Sequence, residues 1–408
     1  MRILFVLPAY VPAWNLGGTM ASAHDLARHM VALGHPVTVL ATNANGPEPL
    51  DVATNEPVTR DGVEVWYFPN EPMRMPWPLS RMPYFAKSQA YIASPMQARA
   101  ARERAGQFDV MVLQNPFGNP NVVGDRAARR SGTPTMYYAH GMLQASHLRF
   151  RAMKKRVYLA LVEKAILRRA AGLFALTDDE AAAYHRLGLT NPIYVIPNAV
   201  DLSGLSTTVV DASQPLIRQL EGKTVVLFLS RIHPTKGVDT LVAAFMELAA
   251  KHPDAVLVVA GPDEFTLVPE LRARLNRAGM ADRALFPSLV SGGLKRDLLA
   301  RANVFVLPSH MEGFSMCILE AMGSATPVII TPGCHFGEVE KVGAGLIVEV
   351  QAPALAQAMD RLLSSEVLRR DMGRRGRQLV EDKYQWSRMA RRTIEAYTEA
   401  AASARRAR

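Results

Sequence analysis

The sequence is poor in cysteine, with only Cys317 and Cys334 among its 408 residues. Two thiols exclude a disulfide framework and favour a reducing compartment. Long apolar runs are also missing, because no uncharged stretch is long enough to span a bilayer. The apolar run at residues 3–7 is too short for a signal peptide, and no small-residue cleavage site follows it. We therefore predict a cytoplasmic protein, whose membrane association, if any, is peripheral at the inner face of the plasma membrane.

Several binding signatures are absent as well. The net charge of +10 fits an anionic ligand such as a nucleotide, or an anionic membrane surface. It also fits nucleic acid, but no recognition motif or zinc spacing accompanies it, so we expect no nucleic-acid partner. The chain has no G-x-G-x-x-G fingerprint, and Asp51 is not a convincing ribose-binding acid, so a nicotinamide site is not supported. No cluster of metal ligands is visible, and we expect no metal and no cofactor.

What the sequence does contain is a repeated alternation of short apolar runs and helical patterns. Its 49% hydrophobic and 21% charged residues describe a soluble globular protein, and its length suits two domains. The alternation predicts an α/β fold with parallel sheets. Residues 201–220 lose this periodicity and form a predicted linker. We predict domains at 1–200 and 201–385, followed by a last helix and a basic tail at 386–408.

A strand, a loop and a helix over residues 304–320 form the most informative stretch. The pattern places Glu312 at the mouth of a helix that begins near residue 314 or 315, and Glu320 about two turns further along. The amides of residues 313–316 would point outward at the positive end of the helix dipole and favour a phosphate or a hydroxyl-rich ligand. An ordinary strand-loop-helix with two solvated glutamates would show the same pattern.

Two cations follow the predicted strand at residues 225–230. Arg231 can hold phosphate oxygens with two parallel hydrogen bonds, and Lys236 supplies a compact point charge. Their place at the carboxyl end of a strand suits the neutralisation of a diphosphate. Surface charge without a role is the alternative.

The first half offers two candidate ligand loops. Gly17 and Gly18 open the helix of a βαβ unit, where the backbone would admit a phosphate or a sugar. His140 stands with Gly141 where a strand ends, the edge of an open α/β sheet that carries ligands. The alternatives are a glycine turn required by the chain path and a structural histidine. The sequence at 177–180 predicts a capping box that opens the next helix.

Two further stretches suggest contact with an apolar or anionic surface. Residues 72–85 are rich in proline, methionine and aromatic side chains. Contact with an apolar acceptor or a membrane surface would explain exposed aromatic side chains in such a loop. Residues 149–171 form a basic amphipathic helix that would suit anionic lipid. The alternatives are a long loop folded onto its own domain and a solvated charged face.

Together these motifs resemble the retaining glycosyltransferases of family GT4. The most specific part is the order SRIHPTKGVDTLVAAF, then VLPSHMEGFSMCILEAM. The match runs through nearly the whole chain, strongly over residues 225–335 and weakly over 45–135. The resemblance implies a GT-B fold, in which two Rossmann-like domains face each other across a cleft and the C-terminal helix crosses back to the N-terminal domain.

The resemblance also implies a role for each matching residue. Arg231 and Lys236 would hold the donor diphosphate, Glu312 the donor sugar, and His140 would lie beside the transferring sugar, so these four form the predicted catalytic set. The predicted donor-binding set shares the two cations and adds the loop and helix-mouth residues: Gly17, Gly18, Arg231, Lys236, Gly313, Phe314, Ser315, Met316 and Glu320. One departure is Ala199 after Pro197-Asn198, where the family often has glycine.

The predicted reaction is a retaining, metal-independent transfer of a hexosyl unit from a UDP- or GDP-sugar. The acceptor would be a glycan or a lipid-linked glycan in cell-surface polysaccharide biosynthesis. Cations and a helix mouth would stabilise the departing diphosphate in place of a metal ion. The alternatives are a GT-B-like nucleotide-sugar epimerase and a non-catalytic nucleotide-sugar-binding subunit.

Overall fold

The computed structural model describes residues 1–46, 48–71, 92–144, 148, 152–205, 207–208 and 211–406. The chain divides into two compact units, and each is an α/β assembly around one mainly parallel sheet. The first unit comprises Met1–Asn198 and Trp386–Arg408, and the second comprises Ala199–Gln385. The predicted aromatic segment at residues 72–85 lies outside the described residues.

The sheet of the first unit has eight strands. They are β1 (Ile3–Ala9), β2 (Val37–Thr42), β3 (Pro57–Arg60), β4 (Val63–Phe68), β5 (Val110–Gln114), β6 (Thr135–Tyr138), β7 (Gly172–Ala175) and β8 (Ile193–Val195). Their order is β3-β4-β2-β1-β5-β6-β7-β8, and only the β3/β4 pair is antiparallel. The β1 strand is buried along its whole length, as its apolar sequence predicts for a strand covered on both faces. The chain reverses its direction of travel across the sheet at β1, so β1 and β5 define its switch point.

Helices connect these strands. They are α1 (Gly18–Ala32), α2 (Pro95–Arg104), α3 (Asn119–Ser131), α4 (Ala152–Tyr158), α5 (Lys164–Arg169) and α6 (Asp178–Arg186). A π-helical turn, Leu159–Glu163, joins α4 to α5, and 3-10 turns lie at Trp14–Leu16 and Ala105–Gln107. The C-terminal helix, Trp386–Arg406, packs on α1, where Trp386 stacks on His29 with ring centroids 6.4 Å apart.

The sheet of the second unit has six parallel strands in the order β11-β10-β9-β12-β13-β14. They are β9 (Thr224–Leu229), β10 (Ala255–Ala260), β11 (Ala284–Leu285), β12 (Val304–Leu307), β13 (Val328–Ile330) and β14 (Gly345–Ile347). The switch point lies between β9 and β12, and the buried side chains of these strands form the core of this unit.

The helices of the second unit are α7 (Pro215–Gln219), α8 (Val238–Leu248), α9 (Val268–Arg277), α10 (Gly292–Arg301), α11 (Met316–Gly323), α12 (Glu338–Lys341), α13 (Ala352–Leu363) and α14 (Glu366–Lys383). Short 3-10 turns lie at Leu202–Gly204, Pro234–Lys236, Ala281–Arg283 and Pro332–Cys334. Among the described residues, none of the helices is both long and apolar enough to cross a membrane.

Candidate active site

A buried ion pair lies at the switch point of the second sheet. Lys236, in the turn after β9, donates from Nζ to Oε1 of Glu312 at 2.6 Å, and the side chains of both residues are about 10% exposed. Glu312 lies in the loop after β12, the strand that neighbours β9. Since parallel strands end at the same edge, residues 76 positions apart in the chain meet there. The pair places one fixed positive and one fixed negative group beside the mouth of α11.

Backbone hydrogen bonds tie the loops of this pair together. The Thr235 carbonyl accepts from the His310 amide at 2.8 Å and from the Ser309 hydroxyl at 3.0 Å. Gly237 has a φ of 65°, and a Cβ atom there would come within 2.2 Å of the Pro308 carbonyl oxygen. Glycine is therefore required for the close approach of the two loops. This frame holds Lys236 in place before any ligand arrives.

The helix α11 begins at Met316, with Ser315 as its N-cap. Ser315 gives no side-chain hydrogen bond to the helix end, so the first amides remain available to a ligand. The Phe314 ring turns away into an aromatic cluster, with its centroid 5.3 Å from that of Phe336. Gly313, Phe314, Ser315 and Met316 are all partly exposed. The backbone amides of this stretch and the Ser315 hydroxyl are therefore available for ligand binding.

A second lysine-glutamate pair lies further along α11. Lys295 of α10 donates to Oε1 of Glu320 at 2.6 Å. The other carboxylate oxygen, Oε2, is buried and has no hydrogen-bond partner among the described residues. A buried carboxylate oxygen without a donor suits a ligand hydroxyl. Lys295 was missed by the sequence analysis, because the approach of α10 to α11 is a tertiary feature.

Arg231 also has an acidic partner. Its Nη1 contacts both carboxylate oxygens of Glu264 at 2.9 Å. Arg231 follows β9 and Glu264 follows the neighbouring strand β10, so the same edge of the sheet brings them together. The Arg231 side chain is 45% exposed, and such an exposed pair contributes little to folding. The guanidinium can therefore exchange Glu264 for a phosphate at little cost.

The two thiols of the chain lie near these loops but are not nucleophiles. Burial raises the pKa of Cys317 to about 12 and that of Cys334 to about 11. Both thiols stay protonated at neutral pH, and the thiolate is the reactive form. Within the described residues, no group of three or more His, Cys, Asp or Glu side chains is placed to hold a metal ion.

His140 is in the first unit, just after β6. It has a φ of 50°, a left-handed conformation that is uncommon for a residue with a side chain. Its Nε2 lies 3.0 Å from Oε1 of Gln114, at the end of β5. Burial lowers the pKa of His140 to about 4, so the ring is neutral at physiological pH. Since an amide oxygen only accepts, Nε2 carries the proton and Nδ1 carries the lone pair.

The loop of His140 is held by a buried carboxylate. Glu180 accepts from the amide of Gly141 at 2.6 Å and from the amide of Leu176 at 2.7 Å. The predicted capping box is therefore only half right. Thr177 does accept from the Glu180 amide at 3.2 Å, but the Glu180 side chain holds the amides of Gly141 and Leu176. Burial raises the pKa of Glu180 to about 7.

Gly17 and Gly18 open α1 in the first unit. Gly17 is the N-cap, with a φ of 98°, and Gly18 is the first residue of the helix. A Cβ atom on either glycine would meet nothing within 4 Å. The space beside both glycines is thus open to a ligand, although the Gly17 amide already donates to the Trp14 carbonyl at 3.2 Å. Of the predicted site residues, the second unit groups Arg231, Lys236, Glu312, residues 313–316 and Glu320 around two strand ends, while Gly17, Gly18 and His140 belong to the first unit.

Family models match both parts of the chain. Residues 213–379 match the model described as glycosyl transferases group 1, and residues 17–199 match the glycosyl transferase 4-like domain. Together the two matches cover most of the chain. The protein therefore belongs to the GT4-type glycosyltransferases, as its motifs predicted.

Known proteins agree with this assignment. A curated relative, the D-inositol 3-phosphate glycosyltransferase of Jonesia denitrificans, is 26% identical over 95% of this chain and 93% of its own. Among solved structures, sucrose-phosphate synthase from Thermosynechococcus elongatus is similar with a TM-score of 0.78 and 21% identity, covering 99% of this chain and 100% of that one. Anabaena HepE in complex with UDP and glucose has a TM-score of 0.75 and 20% identity, covering 98% and 100%. The chain is a glycosyltransferase with the GT-B fold.

Proposed function

We propose that this glycosyltransferase moves a hexosyl unit from a nucleotide-diphosphate sugar to a glycan or lipid-linked glycan, with retention of configuration and without a metal ion. The reaction would serve cell-surface polysaccharide biosynthesis. The proposal rests chiefly on one observation: the buried pair of Lys236 and Glu312 beside the open first turn of α11.

The chemistry of that arrangement suits the departure of a diphosphate. Negative charge develops on the leaving oxygens, and a fixed ammonium group with helix-end amides stabilises it without reorganisation. Arg231 would bind the same diphosphate after releasing Glu264. These cations would stabilise the negative charge of the departing diphosphate, as a divalent ion does in other transferases. We therefore propose that the reaction needs no metal ion.

The nucleotide sugar is the donor that best fits the remaining groups. Anabaena HepE has been solved with UDP and glucose, and its fold is similar to that of this chain. Here, Oε2 of Glu320 is a buried acceptor without a donor, and we propose that it accepts from the ribose hydroxyls. Lys295 would hold this carboxylate in place through the other oxygen, Oε1.

The two glutamates have lysine partners, and this favours binding roles over hydrolytic ones. A retaining hydrolase uses one carboxylic acid and one free nucleophilic carboxylate. Glu312 and Glu320 each accept from an ammonium group at 2.6 Å, and such partners suit carboxylates that bind rather than react. We propose that the acceptor attacks from the face that the diphosphate leaves, and that no covalent sugar adduct forms.

The first experiment is a thermal-shift screen with UDP, GDP, ADP and their sugar conjugates, with and without EDTA. A shift with one nucleotide family that EDTA does not change supports the donor site and identifies the base.

The next step is NMR of the product, in which an anomeric configuration equal to that of the donor supports retention. A donor that changes with no acceptor present would indicate an epimerase. Binding without turnover would indicate a non-catalytic subunit.

We also propose that the first unit contacts an anionic membrane surface. On α4 and the turn that follows, Met153, Val157 and Leu161 are spaced four residues apart and are 75%, 49% and 76% exposed. Of the cations around this apolar row, Lys154, Arg156 and Arg168 are also exposed. Within residues 152–169 the acidic group is Glu163, which is buried. Exposed apolar side chains flanked by cations suit the interface of an anionic bilayer.

Vesicle flotation tests this contact. We expect the protein to float with vesicles that contain phosphatidylglycerol and to stay unbound with neutral phosphatidylcholine vesicles. Replacing Met153, Val157 and Leu161 with serine should abolish flotation, whereas serine at the exposed Val367 on α14 should not. Equal flotation of the triple variant and the wild type would contradict the proposal.

A further inference from the structure

A small cavity lies inside the first unit, between the start of the C-terminal helix and the ends of β5 and β6. Its volume is about 20 Å³. Seven of the residues that line it have polar side-chain atoms: Ser22, Gln114, Tyr138, His140, Asn198, Trp386 and Thr393. A space of roughly 10–15 Å³ holds one water molecule if two or more polar groups face it. The size and the lining of the cavity both meet that condition.

Two residues on its wall carry complementary polar atoms. The indole Nε1 of Trp386 can only donate a hydrogen bond. The Nδ1 of His140 can only accept one, because the Nε2 hydrogen is engaged with Gln114 and the ring is neutral. Both atoms are buried, and neither has a hydrogen-bond partner among the described residues. A buried donor and a buried acceptor without partners are costly, and both belong to residues that line this one cavity.

We propose that this cavity is a site for one ordered water molecule, which accepts from Trp386 Nε1 and donates to His140 Nδ1. The Ser22 hydroxyl, which donates to the Gly18 carbonyl at 3.2 Å, accepts the second water hydrogen in this arrangement. Trp386 is thereby a positioning residue for His140. Three polar contacts match the number that buried waters typically make.

The water would stabilise the same tautomer of His140 that the hydrogen bond to Gln114 selects. A donor at Nδ1 stabilises the ring form with its hydrogen on Nε2, and Gln114 stabilises the same form from the other side. The C-terminal helix would then have a second role besides packing on α1. Its first residue, Trp386, would set the hydrogen bonding of His140, which is predicted to act in sugar transfer. That consequence rests on the proposed function, but the water and the tautomer do not.

The test compares two substitutions in the cavity wall. Trp386→Phe removes the indole donor and keeps an aromatic ring, while Met389→Leu alters an apolar residue of the same wall. The readout is the pair of imidazole ¹⁵N resonances of His140, identified by their loss in a His140→Gln variant. This readout needs no substrate, so it is independent of whether the proposed transfer reaction is right.

In the wild type we expect a protonated Nε2 and an unprotonated Nδ1 at the shift of a nitrogen that accepts a hydrogen bond. In Trp386→Phe the Nδ1 resonance should move toward that of a nitrogen without a donor, and in Met389→Leu it should stay. A high-resolution crystal structure should show one water between the two atoms. Unchanged His140 resonances in a folded Trp386→Phe protein would overturn the proposal, as would a cavity without water density.

Discussion

The two units differ in how the polar side chains at their sheet edges are partnered. In the second unit, Lys236 is neutralised by Glu312 and Lys295 by Glu320, so charged groups stand in the site as pairs. In the first unit, His140 is neutral and is held by the amide side chain of Gln114. The difference separates two tasks. A site of paired ions can exchange a partner for a charged diphosphate, whereas a neutral histidine with fixed hydrogen-bond roles would suit an uncharged ligand.

The largest expected effect comes from breaking the buried pair. Lys236→Ala should reduce turnover at least about 100-fold, as removal of a preorganised charge-stabilising group does elsewhere. It should also destabilise the fold, because Glu312 stays buried without its partner, at a cost of roughly 3–5 kcal/mol. Steady-state kinetics and urea unfolding measure the two effects.

The double variant Lys236→Ala/Glu312→Gln separates these effects, since it removes the unpaired charge and should recover stability without recovering turnover. Lys251→Ala is the matched control, because that lysine pairs with Asp360 at 3.0 Å but is 68% exposed. Near-normal activity of folded Lys236→Ala would mean that the ion pairs of the second unit are structural only.

The next effect concerns Glu180, the carboxylate that holds the loop of His140. Because burial raises the pKa of Glu180 from 4.5 to about 7, the folded state binds this proton more tightly than the unfolded chain. The stability contributed by the group is present below pH 4.5 and decreases as the pH rises through 7. Glu180→Gln should lose that pH dependence and destabilise the fold by about 1–3 kcal/mol, since one backbone amide loses its acceptor.

Urea unfolding at pH 5 and pH 8 measures this difference. The control is Glu103→Gln, an exposed carboxylate paired with Arg99 that should keep the wild-type dependence between these pH values. If Glu180→Gln and the wild type lose the same stability between pH 5 and pH 8, the buried carboxyl of Glu180 does not titrate in this range.

A smaller effect concerns the exposed ion pair of Arg231 and Glu264 in the second unit. Arg231→Ala should weaken nucleoside diphosphate binding at least about tenfold, given ~1.5–3 kcal/mol for hydrogen bonds to charged groups. Glu264→Gln should act in the opposite direction by a few-fold, because Arg231 loses a competing partner, with a change in unfolding free energy below about 1 kcal/mol. Calorimetric titration measures both affinities. Weaker binding by Glu264→Gln would show that the pair orients Arg231 rather than competing for it.

The smallest expected effect is that of His140 on the pH dependence of turnover, where we expect no contribution near neutral pH. Because burial lowers the pKa of His140 to about 4, this ring should add no inflection to the pH dependence of turnover between pH 5.5 and 7.5. A pH-rate profile checks this, with His140→Gln as the comparison. An inflection near pH 6.5 that His140→Gln removes would show that the histidine is charged and solvated, and the two edges would then be alike.

Much of the fold could be predicted because its signals are local. Apolar runs that alternate with helical patterns indicated two α/β halves with parallel sheets, and both sheets are present. The helix after Glu312 was expected from residue 314 or 315 and begins at Met316. Strand ends put Arg231, Lys236 and Glu312 at one edge, because parallel strands finish on the same side of a sheet.

What each side chain contacts was decided only by the tertiary structure. Glu180 looked like half of a capping box, yet its carboxylate holds the amide of Gly141, 39 residues away. Lys295 and Glu264 gave no sequence signal, since their partners lie on other elements. Trp386 was predicted only as the start of a helix, and its place beside His140 arises from packing. The sequence by itself determined the α/β fold, the family and the order of the ligand loops, because periodicity and turn chemistry are short-range. Hydrogen-bond and ion partners depend on which elements pack together, and that is a long-range property.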